Sequence, residues 1–353
     1  MTDPSRIDGA EASSAPAIET HGLTKHFGDI VALDSLDLVV PRGSVFGFLG
    51  PNGAGKTTTL RLLTGLGRPT SGTATVDGVA IAEGGLALSS RIGYLDQDPR
   101  FYRWMTGREL LELAGRAYGV DGDSLTNRVD ETLEIIGLTE AADRRIGGYS
   151  GGMRQRLGVG QAMLPRPHVL FLDEPASALD PTGRRDVLEL IGSLRGTVTI
   201  VMSTHILNDV ERVCDRVAIL DRGRLVTEAP IDELLARHAK PVIEMDPEPG
   251  QEAAVAAMVE QLAAAPWSRD VRQEHGLIRV LVSDAGAAAA GALPIVVATG
   301  VRLSRFEHVR PSLEDVFLAL VGVNGAARAA ATEAAATAVG STPGDGTPVD
   351  RGG

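Results

Sequence analysis

The sequence predicts an α/β domain followed by a smaller α+β region, and three observations carry that expectation. The stretch "VFGFLGPNGAGKTTTLRLLTGL", Val45 to Leu66, runs from an apolar strand through a glycine-rich turn into a helical pattern. A second apolar run, "HVLFLDEP", ends in two adjacent carboxylates, Asp173 and Glu174. Beyond residue 240 the strand-like "PVIEMD" and "LIRVLVS" enclose the helical "GQEAAVAAMVEQLAAA". Helices on a small antiparallel sheet would give that pattern.

Composition narrows the function. A chain of 353 residues can hold one large domain and a smaller one, and 43% apolar residues suffice for true cores. The net charge of −12 argues against a nucleic-acid partner, which calls for a basic stripe. One cysteine, Cys214, excludes intramolecular disulfides and fits a reducing cytoplasm. The opening "MTDPSRIDGAEASSAPA" has no apolar core and is no signal peptide. No apolar run reaches the roughly 18 residues of a membrane span, so the chain is not expected to cross a bilayer by itself. The expected boundaries are a disordered N-terminus over 1–16, the α/β domain over 17–239, the α+β region over 240–322 and a disordered Ala/Gly-rich tail over 323–353. Within the second region, "LPIVVATGVRLSRFEHV" reads as a further strand or a hairpin.

Gly50, Gly55, Lys56 and Thr57 fit the phosphate-loop pattern G-x-x-x-x-G-K-[ST]. Glycines let backbone N–H groups wrap phosphates at the head of a helix. Lys56 would reach the β- and γ-phosphates, and the Thr57 hydroxyl would bind Mg²⁺. The strand before Asp173 would deliver that carboxylate to the edge of the sheet where α/β ligands sit, as a second anchor for Mg²⁺. Glu174 follows directly, placed to orient or deprotonate an attacking water. An adjacent acidic pair favours water as the acceptor, hence hydrolysis. In "GGYSGGMRQRLGVGQAML", Ser150, Gly151 and Gly152 open a helix and make a second anion-binding end. Two phosphate sites with one catalytic set point to head-to-tail pairing of two copies.

From Ile18 to about Leu225 the chain resembles the ATP-binding-cassette (ABC) ATPases. The likeness implies a P-loop fold with a RecA-like core, an antiparallel β subdomain and a helical subdomain. The phosphate loop GPNGAGKTT then supplies Asn52, Gly53, Ala54, Gly55, Lys56, Thr57 and Thr58 to ATP. By the same resemblance Phe27 stacks on adenine, and Gln97 senses the γ-phosphate, contacts Mg²⁺ and links to a membrane subunit. His205 touches the γ-phosphate, and Asp180 of "SALD" lies at a dimer interface. The family usually shows leucine and glutamine where Tyr149 and Met153 flank the Ser-Gly-Gly, and Met153 is expected to loosen the helix cap. Ala176 and Ala178 also depart from the pattern.

Within the family, "LTKHFGDIVALDSLDLVV", "HILNDVERVCDRVAIL" and "RPSLEDVFLALVG" resemble the daunorubicin-resistance type of exporter subunit. That branch implies an ATPase at the cytoplasmic face of the membrane, dimeric, working on a separate integral-membrane ABC-2-type permease. Phe101, Tyr102 and Trp104 would be either a socket for the permease or core. Leu313, Val316, Phe317 and Leu320 form one apolar stripe, whose cover lies on this chain or, as the resemblance favours, on a partner. The alternative is a soluble ATPase switch on ribosomes or DNA. Such relatives usually carry two cassettes or a long coiled coil, neither of which is present, and the acidic chain lacks attraction to nucleic acid.

Overall fold

The computed structural model describes residues 15–238, 242–274 and 276–309, together with 313, 314, 316, 317 and 320. Disorder is expected over 1–16 and 323–353; of these, 1–14 and 323–353 lie outside the described residues. Packing divides the chain between Arg237 and His238 into two units.

In the first unit, strands β1 (Ile18–Phe27) and β2 (Ile30–Val40) form a hairpin, and β3 (Val45–Leu49) leads into helix α1 (Lys56–Leu63). Next come β4 (Ser71–Val76), β5 (Val79–Ala80), α2 (Gly85–Ser89) and β6 (Ile92–Leu95). Three helices follow, α3 (Gly107–Ala117), α4 (Gly122–Ile135) and α5 (Gly151–Met163). The chain then alternates through β7 (Val169–Asp173), α6 (Pro181–Ser193), β8 (Thr199–Thr204) and α7 (Leu207–Val213). It closes with β9 (Arg216–Asp221), β10 (Arg224–Pro230) and α8 (Ile231–His238). The central sheet has the order β10-β9-β3-β8-β7-β6, parallel except for β10. Every residue of β3, β7 and β8 is buried, which explains their continuous apolar runs; parallel strands are covered on both faces. A second, antiparallel sheet runs β2-β1-β4-β5, and its core residues join those of β3, α1 and β7 in one cluster.

The second unit contains β11 (Val242–Pro247), α9 (Glu252–Ala264), β12 (Ser268–Glu274), β13 (Leu277–Val282), α10 (Ala285–Thr299) and β14 (Leu303–Val309). Its antiparallel sheet has the order β12-β13-β11-β14. The two helices and the inner face of the sheet share Met245, Met258, Leu262, Val280, Ala288 and Ala292 as core. The run expected as a strand or hairpin from Leu293 divides instead: Leu293–Thr299 completes α10 and only Leu303–Val309 is strand. Asp284 starts that helix by accepting from Gly286 N and Ala287 N. The Ala-rich turns then propagate through Pro294 and the β-branched Ile295, Val296 and Val297, until Gly300 ends it at φ 68°. Burial of Ala288, Ala292 and Val296 along one face outweighs the strand propensity of the last turn. Farther on, Leu313 and Val316 are buried within the single chain, while Phe317 and Leu320 are half-buried. The first half of that stripe is therefore covered by the chain itself and does not await a partner.

One ionic centre ties the antiparallel sheet to the base of the central one. Asp77, in the β4–β5 turn at φ 50°, is buried. It binds Arg42, Arg91 Nη1 at 2.7 Å and His168 Nδ1 at 2.6 Å. These residues stand just before β3, β6 and β7. Burial pushes the Asp77 carboxyl up, but the hydrogen bonds from His168, Arg42 and Arg91 prevail and hold it at about 2, below its ordinary 3.8. A folded value below the unfolded one stabilises above the unfolded pKa and is lost as pH falls through about 2. The gap corresponds to roughly 2 kcal/mol, less the share that solvent screens at the half-exposed partners. Asp77→Asn should therefore lower stability in urea melts at pH 7, and the difference from the parent should shrink steadily between pH 4 and pH 2. A difference that stays constant with pH would assign the loss to packing alone.

Candidate nucleotide site

Parallel strands end on the same side, so β3, β8, β7 and β6 bring their carboxyl ends together. Leu49 pairs with Thr204, Asp173 with Ser203, and Leu95 with Leu172. The loop after β3 turns into α1 through Gly55, at φ 104°. A Cβ there would lie 2.7 Å from the Ala32 carbonyl oxygen, so only glycine fits. Lys56 is buried, and its Nζ donates to the carbonyls of Gly50 at 2.7 Å and Pro51 at 3.1 Å. Burial pulls its ammonium below the ordinary value, against the attraction of Glu174 and Asp173.

Asp173 is fully buried. Its Oδ1 accepts from Thr57 Oγ1 at 3.1 Å and from Ser203 Oγ, while Oδ2 is buried without a hydrogen-bond partner. Burial pushes this carboxyl up, against those two hydrogen bonds. A bare buried carboxylate oxygen beside a hydroxyl is a hard-oxygen donor set, and it fits Mg²⁺. Among the described residues no group of three His, Cys, Asp or Glu could hold a metal. One carboxylate with one hydroxyl matches an ion that keeps several waters and takes the rest of its ligands from phosphate.

Glu174 sits at the centre of the remaining polar groups. Its carboxylate accepts from Gln97 Nε2 at 3.3 Å, lies 3.1 Å from His205 Nδ1 and 3.9 Å from Lys56 Nζ. The structure thus gathers Gln97, Glu174 and His205, and it directs the Gln97 amide at Glu174. An open cleft of about 470 Å³ is lined by Phe27, Ile30, Val31 and Ala32, by Asn52, Gly53, Ala54, Gly55, Lys56, Thr57 and Thr58, and by Gln97 and Glu174. Phe27 is 57% exposed there, with Lys25 Nζ 4.9 Å from its ring centroid. Exposed Ile30 and Val31 extend this apolar wall, and motif reading did not find them. An apolar pair straight after the turn "FGD" was the available signal.

Ser150, Gly151, Gly152 and Asp180 do not line that cleft. Ser150 caps α5 by accepting from Met153 N at 3.2 Å, so Met153 leaves the cap intact. Asp180 caps α6 through Gly183 N at 3.2 Å. The two helix starts abut: a Cβ on Gly152 would stand 2.8 Å from Gly183 Cα. Tyr149, in the place of the usual leucine, is buried and donates its hydroxyl to the Ala141 carbonyl at 2.6 Å. That bond satisfies the one polar atom the substitution adds.

Known proteins resemble this chain in sequence and in fold. The ABC transporter family profile matches residues 33–177. The daunorubicin resistance ATP-binding protein DrrA3 of Streptomyces coeruleorubidus is 37% identical over 308 residues, 87% of this chain and 96% of that protein. The bacitracin transport ATP-binding protein BcrA of Bacillus licheniformis is 38% identical over 308 residues, 86% of this chain and 97% of that protein. Among solved structures, a post-hydrolysis dimer of the ATP-binding cassette MJ0796 bound to ADP and Pi has 25% identity and a TM-score of 0.55. It covers 61% of this chain and 98% of that one. Nearly full-length identity well above 30%, joined to a phosphate loop facing a buried acidic pair, is decisive: the chain belongs to the ABC transporter family, as an ATP-binding subunit that hydrolyses ATP.

Proposed function

We propose that this subunit powers an exporter, closing head-to-tail with a second copy on two ATP molecules and driving a separate integral-membrane ABC-2-type permease from the cytoplasmic face. The observation that carries the reading is the incomplete cleft. Ser150, Gly151 and Gly152 present a capped helix end that does not line the phosphate loop of their own chain, and a second copy would supply it. The names of DrrA3 and BcrA, daunorubicin resistance and bacitracin transport proteins, support an exporter of a drug-like molecule. No helix among the described residues is long and apolar enough to cross a membrane, which supports leaving the passage of cargo to the permease.

Within each cleft the loop Asn52–Thr58 holds the phosphates, and Phe27 with Ile30 and Val31 covers the base. Thr57 and Asp173 would hold Mg²⁺, which when bound offsets the charge of the β- and γ-phosphates. Glu174 accepts the proton of the attacking water. His205 and Gln97 fix the direction of its carboxylate, and Gln97 carries the state of the site toward the permease. Closure drives transport only through a difference in ATP affinity between open and closed pairs. Phe101 is half-buried, whereas Tyr102 and Trp104 are 60% and 68% exposed with rings 5.8 Å apart. Exposure of this pair supports the socket over the core.

Glu174→Gln should keep ATP affinity and lower kcat by about 10²- to 10⁴-fold, as loss of a general base does. Lys56→Ala should instead weaken ATP binding itself. Equilibrium binding beside steady-state hydrolysis separates the two, and wild-type turnover in Glu174→Gln would remove that residue from the reaction. Cysteines at Ser150 and Asn52 should crosslink between copies only with ATP in the Glu174→Gln background. Cys214 is buried and its thiol is pushed up by burial, so it does not compete. Absence of the crosslink under trapping would sink the head-to-tail pair. Tyr102→Ala with Trp104→Ala should leave the melting temperature unchanged and reduce recovery of the permease in a membrane pull-down; equal recovery would exclude the socket.

A further inference from the structure

Ser203, next to last in β8, lies opposite Asp173, its register partner in β7, and its side chain is fully buried. Its hydroxyl donates to Asp173 Oδ1 and accepts from the Glu174 N–H at 3.0 Å. A hydroxyl has one proton to give, so giving it to Asp173 leaves only lone pairs to face the N–H. Thr57 Oγ1 also donates to Oδ1. Both donors therefore fall on the same oxygen, and Oδ2 is the one left buried and bare. Glu174 meanwhile sits at φ 44°, a left-handed backbone that a non-glycine residue keeps only where its surroundings fix it. Its N–H, held by the Ser203 hydroxyl and by the Ser203 carbonyl at 3.1 Å, supplies that restraint.

We infer that Ser203 is a positioning residue of the ATPase site, whose one hydroxyl selects the Asp173 oxygen that faces the metal and couples that choice to the backbone of Glu174. The inference rests on the roles proposed above for Asp173 and Glu174. An apolar residue at 203 would leave Oδ1 with Thr57 as its sole donor, so the carboxylate could turn and share both oxygens between Thr57 and the cation. The Glu174 N–H would keep the carbonyl of residue 203, so the strand pairing itself would survive. The cost falls on metal binding and turnover rather than on folding.

The test uses the full chain with Ser203→Ala, which removes the donor, and Ser203→Thr, which restores a hydroxyl. The rise in melting temperature caused by ATP is measured in EDTA and across a Mg²⁺ titration, beside kcat and KM for ATP. In Ser203→Ala the rise in EDTA should equal that of the parent. The half-saturating Mg²⁺ concentration should increase about ten- to a hundredfold, the range for one hydrogen bond to a charged group. The kcat should fall with little change in KM, and Ser203→Thr should recover the Mg²⁺ response. A purely structural role would lower the melting temperature equally with and without metal, and an unaltered Mg²⁺ requirement in Ser203→Ala overturns the inference. Should that variant not fold, Ser203→Cys, similar in size but a weak donor, carries the same titration with the same two readings. A parent that ATP fails to stabilise would overturn the nucleotide site itself, and this role with it.

Discussion

Burial of the parallel strands β3, β7 and β8 on both faces is the constraint on which the rest of the first unit depends. Apolar strands covered by helices on either side can pair in parallel, and parallel pairing makes every strand end at one edge. Residues more than 100 positions apart, Thr57 and Asp173, thereby come within hydrogen-bond distance. Hydrophobic burial thus does the placing of groups that water would otherwise claim. The acidic pair Asp173 and Glu174 is tolerable at that edge because Thr57, Ser203, His205 and Lys56 surround it.

The electrostatics of the edge are set by burial of two opposite charges. Burial raises the proton affinity of Asp173 and lowers that of Lys56, so the charged form of each carries a cost. A divalent cation beside Asp173 and a phosphate beside Lys56 would relieve both penalties at once. Glu174 holds a third strained element, its left-handed backbone, and strain of this kind gathers where groups must point in a fixed direction. Binding energy and catalytic geometry are therefore drawn from the same few residues.

The Ser-Gly-Gly segment shows how one sequence motif can answer two demands. Gly152 is required by packing, because a side chain there would strike the backbone of α6 at Gly183. Ser150 caps the helix it opens. Neither fact needs a nucleotide, and the proposed contact with a second copy would add to them at the exposed Ser150. Tyr149 fits for a local reason as well, since Gly107 leaves room for its ring, where a Cβ would come within 2.4 Å of the Tyr149 hydroxyl.

The sequence by itself determined the α/β class, the phosphate loop and the acidic strand end, because each is a local pattern of period, glycine and charge. Lys56, Asp173 and Glu174 were legible for the same reason. Ile30, Val31 and Ser203 were not, since an apolar pair after a turn and a serine within a strand acquire meaning only from what folds against them. The helical course of Leu293–Thr299 was hidden likewise, because its β-branched residues favour strand, Pro294 opposes a helix interior, and only burial of Ala288, Ala292 and Val296 on one face reverses those preferences. Tertiary structure alone decided that Gln97, His205 and Lys56 converge on Glu174, and that Leu313 and Val316 are covered within the chain. Contacts between distant segments depend on which strand edges and helix faces meet, and no local spacing encodes that.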